Sequence, residues 1–145
     1  MHASAVVVGD RGVLISGPSG SGKTGLALAL IAHARAFGLF TRLVGDDQLY
    51  LMARHGRLLC AVPSSIAGLA ELRGLGPRVV AFEPRAAIDL HVRLVEPGEA
   101  PRFPDAETET IAGCETRVLS LAAGDRQAAV LAVGACLSLP PFGCW

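Results

Sequence analysis

No stretch of this sequence carries a block of one charge. Thirteen Lys and Arg residues balance thirteen Asp and Glu, for a formal net charge of zero. Without a basic cluster, neither a nucleic acid nor an anionic membrane is expected as the main partner. No run reaches the roughly 18 apolar residues that a bilayer span needs. Met1-His2-Ala3-Ser4 leads straight into a strand pattern, so no secretory leader is expected. Cysteine is scarce and unpatterned: Cys60, Cys114, Cys136 and Cys144 show no C-x-x-C or C-x-x-H spacing. They read as small core fillers or free thiols rather than metal or disulfide positions, and the cytoplasm is the expected compartment. Aromatics are few, with one Trp, one Tyr and five Phe. The core must therefore rest on Leu, Val, Ile and Ala.

What is present is apolar and compactly punctuated. The chain has 145 residues, 51% hydrophobic and 18% charged. That composition excludes a disordered chain and fits a single domain over residues 1–145, large enough to bury roughly two thirds of its unfolded surface.

The most informative run is Gly17-Pro18-Ser19-Gly20-Ser21-Gly22-Lys23-Thr24. It satisfies the phosphate-binding loop pattern, Gly, four residues, then Gly-Lys-(Ser/Thr). Its glycines permit positive φ and close backbone approach, so loop N–H groups can converge on an anion. Lys23 would reach the β- and γ-phosphates of ATP, and the Thr24 hydroxyl would ligate Mg²⁺. Val13–Ser16 reads as a buried strand before the loop. Gly25–Phe37 is a helix-length run after it, which aims a helix N-terminus at the phosphates.

Elsewhere the pattern is mostly β. Ala3–Val8 reads as a strand joined to Val13–Ser16 by a turn at Gly9–Gly12. Thr41–Gly45 is a short strand. Gln48–Ala53 and Arg57–Val62 form a second hairpin around His55-Gly56. Ser64–Leu69 reads as a helical turn, Arg78–Phe82 as a strand and Ala87–Val95 as one longer strand. The polar stretch 97–112 is expected as a mobile loop. Arg117–Leu121 is a short strand, Asp125–Leu137 an Ala-rich helix, and 138–145 a non-helical tail. The predicted fold is α/β, a mixed sheet with hairpins around the strand–P-loop–helix unit.

Phosphoryl transfer also needs a metal site and a group that handles the acceptor proton. Asp46 and Asp47 end the 41–45 strand, where an adjacent parallel strand would bring them to the phosphates. Neighbours on a strand point to opposite faces, so one aspartate can face nucleotide and metal while the other faces the acceptor. Glu71, two residues before Arg73, can complete a Mg²⁺ shell or form only a surface ion pair. His2 opens the first strand and can lie near the acceptor, tuning an aspartate. His33, His55 and His91 lack partner patterns and read as structural.

These pieces together resemble the catalytic domain of HPr kinase/phosphorylase. The matching features are His2-Ala3 before the first hairpin, Gly12-Val13-Leu14-Ile15 into the P-loop, and Leu43-Val44-Gly45-Asp46-Asp47. The most specific is Glu71-Leu72-Arg73-Gly74-Leu75-Gly76, similar to the family's Glu-(Ile/Val)-Arg-Gly-(Leu/Ile)-Gly signature. The resemblance runs from residue 2 to about 95. It implies a phosphoenolpyruvate carboxykinase-like P-loop domain that uses ATP and Mg²⁺ to phosphorylate a serine of HPr or a paralogous phosphotransferase-system carrier. It also implies a role in regulating carbohydrate uptake and a hexamer. Residue by residue, Gly17 to Thr24 would hold the nucleotide, with Lys23 on the β- and γ-phosphates. Thr24, Asp47 and Glu71 would serve the metal. Asp46 would be the general base, and the acid of a reverse phosphorolysis, with His2 coupled to the Asp46 side. The chain resembles the family's short forms, without a separate N-terminal domain. Gly25 stands where an acidic residue is usual. The family's Pro-Gly-Arg-Asn segment, linked to phosphorolysis, is met only by Ala123-Gly124-Asp125-Arg126, one position out of register.

Rival readings remain. A small-molecule P-loop kinase would need an arginine-rich lid and more helix than this chain offers. A GTPase would need an N-K-x-D guanine reader, which does not occur. A non-catalytic ATP-binding sensor is compatible with Gly25 and the missing segment. For all ATP-binding readings, Lys23→Ala is expected to weaken phosphate binding and remove activity in a nucleotide titration and turnover assay. Full retention of both would sink the P-loop assignment.

Overall fold

Two β-branched runs flank the turn at Gly9-Asp10 and zip into an antiparallel pair, β1 (Ala3–Val8) and β2 (Arg11–Ser16). The computed structural model describes residues 1–103 and 106–143. Cys144, Trp145 and two residues of the 97–112 stretch, Pro104 and Asp105, lie outside the described residues. After β2 the chain runs through the P-loop into α1 (Lys23–Ala36), then β3 (Thr41–Gly45). A hairpin follows, β4 (Tyr50–Arg54) and β5 (Arg57–Ala61), then a second, β6 (Leu69–Leu72) and β7 (Gly76–Val79). The remaining elements are β8 (Arg85–Ala87), β9 (Leu90–Val95), β10 (Glu107–Ile111), β11 (Cys114–Ala122) and α2 (Arg126–Cys136).

The main sheet has six strands in the order β10-β11-β9-β2-β1-β3. It is mixed: β2, β9 and β11 are mutually parallel neighbours, while β1 runs antiparallel to both β2 and β3. Period-2 alternation divides its side chains between two cores. Val6, Val8, Val13, Ile15, Leu43, Leu90 and Val92 pack against α1 and α2 with Leu26, Leu30 and Val133. Ala3, Ala5, Leu14 and Val44 point the other way, onto the small sheet β4-β5-β8 through Leu58, Cys60 and Ile88. Each fully buried Leu or Ile contributes about 1.5–3 kcal/mol. The Ala content serves close packing on that second face. Gly12 marks its tightest point, since a Cβ there would lie 1.9 Å from the Ala87 carbonyl oxygen.

The α/β class, the mixed sheet and the hairpins on both sides of the P-loop unit match the sequence expectation. Three expectations are corrected. The stretch 97–112 is not all loop: Glu107–Ile111 is an edge strand paired in register with β11. Its two acidic residues alternate with Thr108 and Thr110, a β pattern that the charge obscured. Ala87–Val95 is not one strand. The chain crosses from the small sheet to the main sheet at Ile88-Asp89, where the Asp89 carboxylate accepts from the Gly12 N–H at 2.8 Å and from Arg57 at 2.9 Å. The Asp strand β3 is not adjacent to the P-loop strand, because β1 lies between them. Among the described cysteines, Cys60 and Cys114 are buried free thiols, and burial pushes the Cys60 thiol up to about 12. No helix among the described residues is long and apolar enough to cross a membrane.

On the sheet face away from the two helices, His91 is buried between Ser16 and Glu109. Its Nε2 lies 2.6 Å from the Ser16 hydroxyl and its Nδ1 bonds the Glu109 carboxylate, which Arg93 also reaches. With Nδ1–H donating to Glu109, Nε2 accepts from Ser16. Burial lowers the His91 pKa, opposed by its bond to Glu109. A group whose pKa is lowered on folding favours the folded state in its neutral form. The contribution is therefore present above the ordinary histidine value of about 6.5 and is lost as pH falls below it. Thermal unfolding followed between pH 7.5 and 5 is expected to show a steeper loss for the wild type than for His91→Gln. Parallel curves would assign the acid sensitivity elsewhere.

Candidate functional site

The P-loop sits where β2 ends and α1 begins. Gly20 and Gly22 have φ of +80° and +97°, values that side chains disfavour. A Cβ at Gly22 would meet nothing within 4 Å, so the requirement there is conformational and not spatial. Gly22 is the N-cap of α1 and supplies no side-chain cap, and the first turn carries no acidic residue. The opening N–H groups of the helix thus have no side-chain anion of their own, which suits a phosphate. Two further features fit the same ligand. The Ser21 hydroxyl is buried without a partner among the described residues. The Lys23 ammonium is held over the loop by the Gly17 and Pro18 carbonyls, at 2.9 and 3.1 Å.

Asp46 is the junction beside this loop. It is only 5% exposed. Its Oδ1 accepts from Ser4 Oγ at 2.5 Å and Thr24 Oγ1 at 2.9 Å; its Oδ2 lies 3.0 Å from Thr24 Oγ1 and accepts the Glu71 N–H at 3.0 Å. One carboxylate therefore joins β1, α1 and β6. Asp47 turns the other way, in the bend just past the end of β3 rather than by strand alternation. Its side chain is 70% exposed, its φ is +79°, and His2 Nδ1 lies 3.4 Å from its Oδ1. This corrects one expectation: His2 couples to Asp47 and not to Asp46. The cause is register, because the Ala3 N–H donates to the Asp47 carbonyl and His2 bridges Gln48, which leaves the His2 ring beside Asp47.

Glu71 is exposed at the end of β6, on the rim of the same cleft. It forms no ion pair with Arg73 among the described residues. Arg73 instead reaches over the loop, its Nη2 3.6 Å from where a Gly20 Cβ would be. No group of three His, Cys, Asp or Glu side chains gathers among the described residues. Thr24, Asp47 and Glu71 are thus not a preformed cage. Mg²⁺ needs none, since it binds through one or two protein ligands, water and substrate phosphates.

Lys23, Thr24, Asp46, Asp47, Glu71 and Arg73 line one cleft of about 1140 Å³ with the P-loop along its floor. Asp46, Asp47 and the β6–β7 hairpin form one flank. Leu94, Ala122 and the start of α2 form the other. The structure thus gathers Lys23, Thr24, Asp46, Asp47 and Glu71 as the sequence suggested. It adds Ser4, Arg73 and Arg126. Ser4 had a weak signal, a hydroxyl inside an otherwise apolar strand; Arg73 stood only as a neighbour of Glu71. The remaining histidines are structural: His33 Nε2 meets the Pro140 carbonyl at 2.7 Å, and His55 turns the β4–β5 hairpin.

Comparison with known proteins gives a consistent picture. Residues 1–101 match the family model described as the HPr Serine kinase C-terminal domain. The chain is 36% identical over 75 residues to the HPr kinase/phosphorylase of Mycoplasma mycoides subsp. mycoides, which covers 52% of this chain and 22% of that protein. It is 38% identical over 76 residues to the protein of the same name from Clostridium tetani, 52% of this chain and 23% of that one. The matched segments thus span under a quarter of these relatives. The solved Hpr(Ser) kinase/phosphatase of Coxiella burnetii superposes with a TM-score of 0.78 at 27% identity, over 92% of both chains.

The Asp46 junction carries its own test. Ser4→Ala leaves a buried carboxylate short of one donor, which is expected to cost about 1.5–3 kcal/mol of unfolding free energy by denaturant titration. A change within experimental error would show that the remaining donors suffice.

Proposed function

Because the chain belongs to the HPr serine kinase C-terminal domain family, we propose that it transfers the γ-phosphoryl group of ATP to a serine of an HPr-type carrier protein in the cytoplasm. The observation that carries this reading is the pairing of a P-loop with two differently placed aspartates in one cleft. Residues 17–24 would bind the triphosphate, with Lys23 countering charge on its β- and γ-oxygens. Thr24, backed by Asp46, and Glu71 would hold Mg²⁺, which supplies charge neutralisation at those oxygens.

The resemblance assigns the base to Asp46 and a metal role to Asp47. The hydrogen bonds favour the reverse. Asp46 is enclosed, and both its oxygens are engaged by Ser4, Thr24 and Glu71. Asp47 is open to an incoming hydroxyl and steadied by His2. In the proposed step Asp47 takes the serine proton, the serine oxygen bonds the γ-phosphorus, and the bond to the β–γ bridging oxygen breaks to release ADP. Asp47 would return the proton in phosphorolysis. Homo-oligomerisation, as a hexamer, belongs to the same proposal.

The test is transfer of label from γ-labelled ATP to HPr-type carriers of the same genome. Asp47→Asn is expected to lower kcat by about 10²–10⁴-fold with ATP affinity little changed. Asp46→Asn is expected to lower ATP–Mg²⁺ affinity and stability together. The opposite pattern would return the base to Asp46. No carrier labelled, despite ATP binding, would favour a sensor or a small-molecule acceptor.

A further inference from the structure

Two departures from the family pattern, Gly25 and the displaced arginine of the 123–126 segment, meet in space. A Cβ built on Gly25 would lie 2.3 Å from Arg126 Nη2, 2.7 Å from its Cζ and 2.9 Å from its Nε. These distances put the guanidinium in the space that a side chain at position 25 would take, on the first turn of α1. Any side chain at position 25 would evict it. Arg126 opens α2, is solvent-exposed, and lines the same cleft as Lys23 and Thr24. Among the described residues it has no carboxylate partner. The Asp125 carboxylate beside it is occupied instead in capping α2, accepting from the Ala128 N–H at 3.1 Å.

The sheet order tells which end of a nucleotide this cation faces. Along one edge of the sheet stand, in sequence across it, the ends of β11, β9, β2 and, past β1, β3. The P-loop leaves β2 in the middle. The aspartates and Glu71 occupy the β3 flank, so a γ-phosphate must point there to meet an acceptor. The α-phosphate and nucleoside must then extend to the opposite flank, bounded by Leu94, Ala122 and Arg126. Resting on the proposed ATP-binding reading, we infer that Arg126 is a nucleotide-binding residue for the α-phosphate end, and that glycine at position 25 exists to seat it. Guanidinium suits the role, because its planar fork stacks on a backbone and still presents donors to phosphate oxygens.

The experiment is a set of ATP and ADP dissociation constants, by titration calorimetry, for wild type, Arg126→Ala, Gly25→Ala and the double variant, with Lys23→Ala as control. Arg126→Ala is expected to weaken ATP and ADP by the same factor, about tenfold, the effect of one lost charge-assisted contact. Gly25→Ala is expected to weaken both similarly while raising the melting temperature, since alanine is the better helix former. In the Arg126→Ala background, Gly25→Ala should cost no further affinity. Weakening of ATP alone would move Arg126 to the γ-end and overturn the inference, as would additive losses or unchanged constants. If Lys23→Ala also leaves both constants unchanged, the P-loop reading itself falls; if Lys23→Ala abolishes binding while Arg126→Ala is neutral, only this inference falls.

Discussion

The carboxylate of Asp46 is the point on which the architecture turns. Ser4 from β1, Thr24 from α1 and the Glu71 N–H from β6 all donate to it. None of these elements is adjacent to the others in sequence, and the longest separation bridged is 42 residues. A buried carboxylate left unpaired would be costly, so the three donors and the acceptor depend on one another. The arrangement fixes the first turn of α1 against the sheet and the β6–β7 hairpin against the P-loop. That flank of the cleft and the adjoining end of the P-loop are thereby set by one residue.

The insertion of β1 between β2 and β3 has a related effect. It spaces the aspartates from the P-loop by one strand while keeping β2 and β3 pointing the same way. The intervening strand carries Ser4, and His2 lies just before it, one to each aspartate. The neighbouring carboxylates differ in exposure because Ser4, Thr24 and the Glu71 N–H enclose Asp46, while Asp47 meets only the exposed His2 ring among the described residues.

Much of this was legible from residues alone, and for identifiable reasons. The P-loop could be read because its backbone conformation admits glycine at few enough positions to leave a pattern. The Asp pair, Glu71 and the hairpin at His55-Gly56 were legible for similar local reasons. The Asp46–Ser4 bond was not, since a serine in a strand carries no mark of which distant side chain it meets. Nor was the break at Ile88-Asp89, where the apolar pattern runs on while the chain changes sheets and only the Gly12 and Arg57 contacts reveal it. The β10 strand hid behind its charges, because an edge strand exposed to water tolerates glutamate between threonines. Arg126 was visible only as a motif out of register, and its meaning depended on the missing side chain at Gly25.

The ammonium held over the loop carbonyls has one more property. Lys23 is the sole lysine in the sequence, and the other twelve cationic side chains of that class are arginines. Guanidinium groups stay charged and resist acylation, whereas a lysine amine can be neutralised by an acyl group. The surface of this domain is therefore almost inert to lysine acylation, and its one responsive side chain lies over the P-loop. Acylation of lysines within these 145 residues would register as a single all-or-none event at the P-loop rather than as a graded erosion of surface charge.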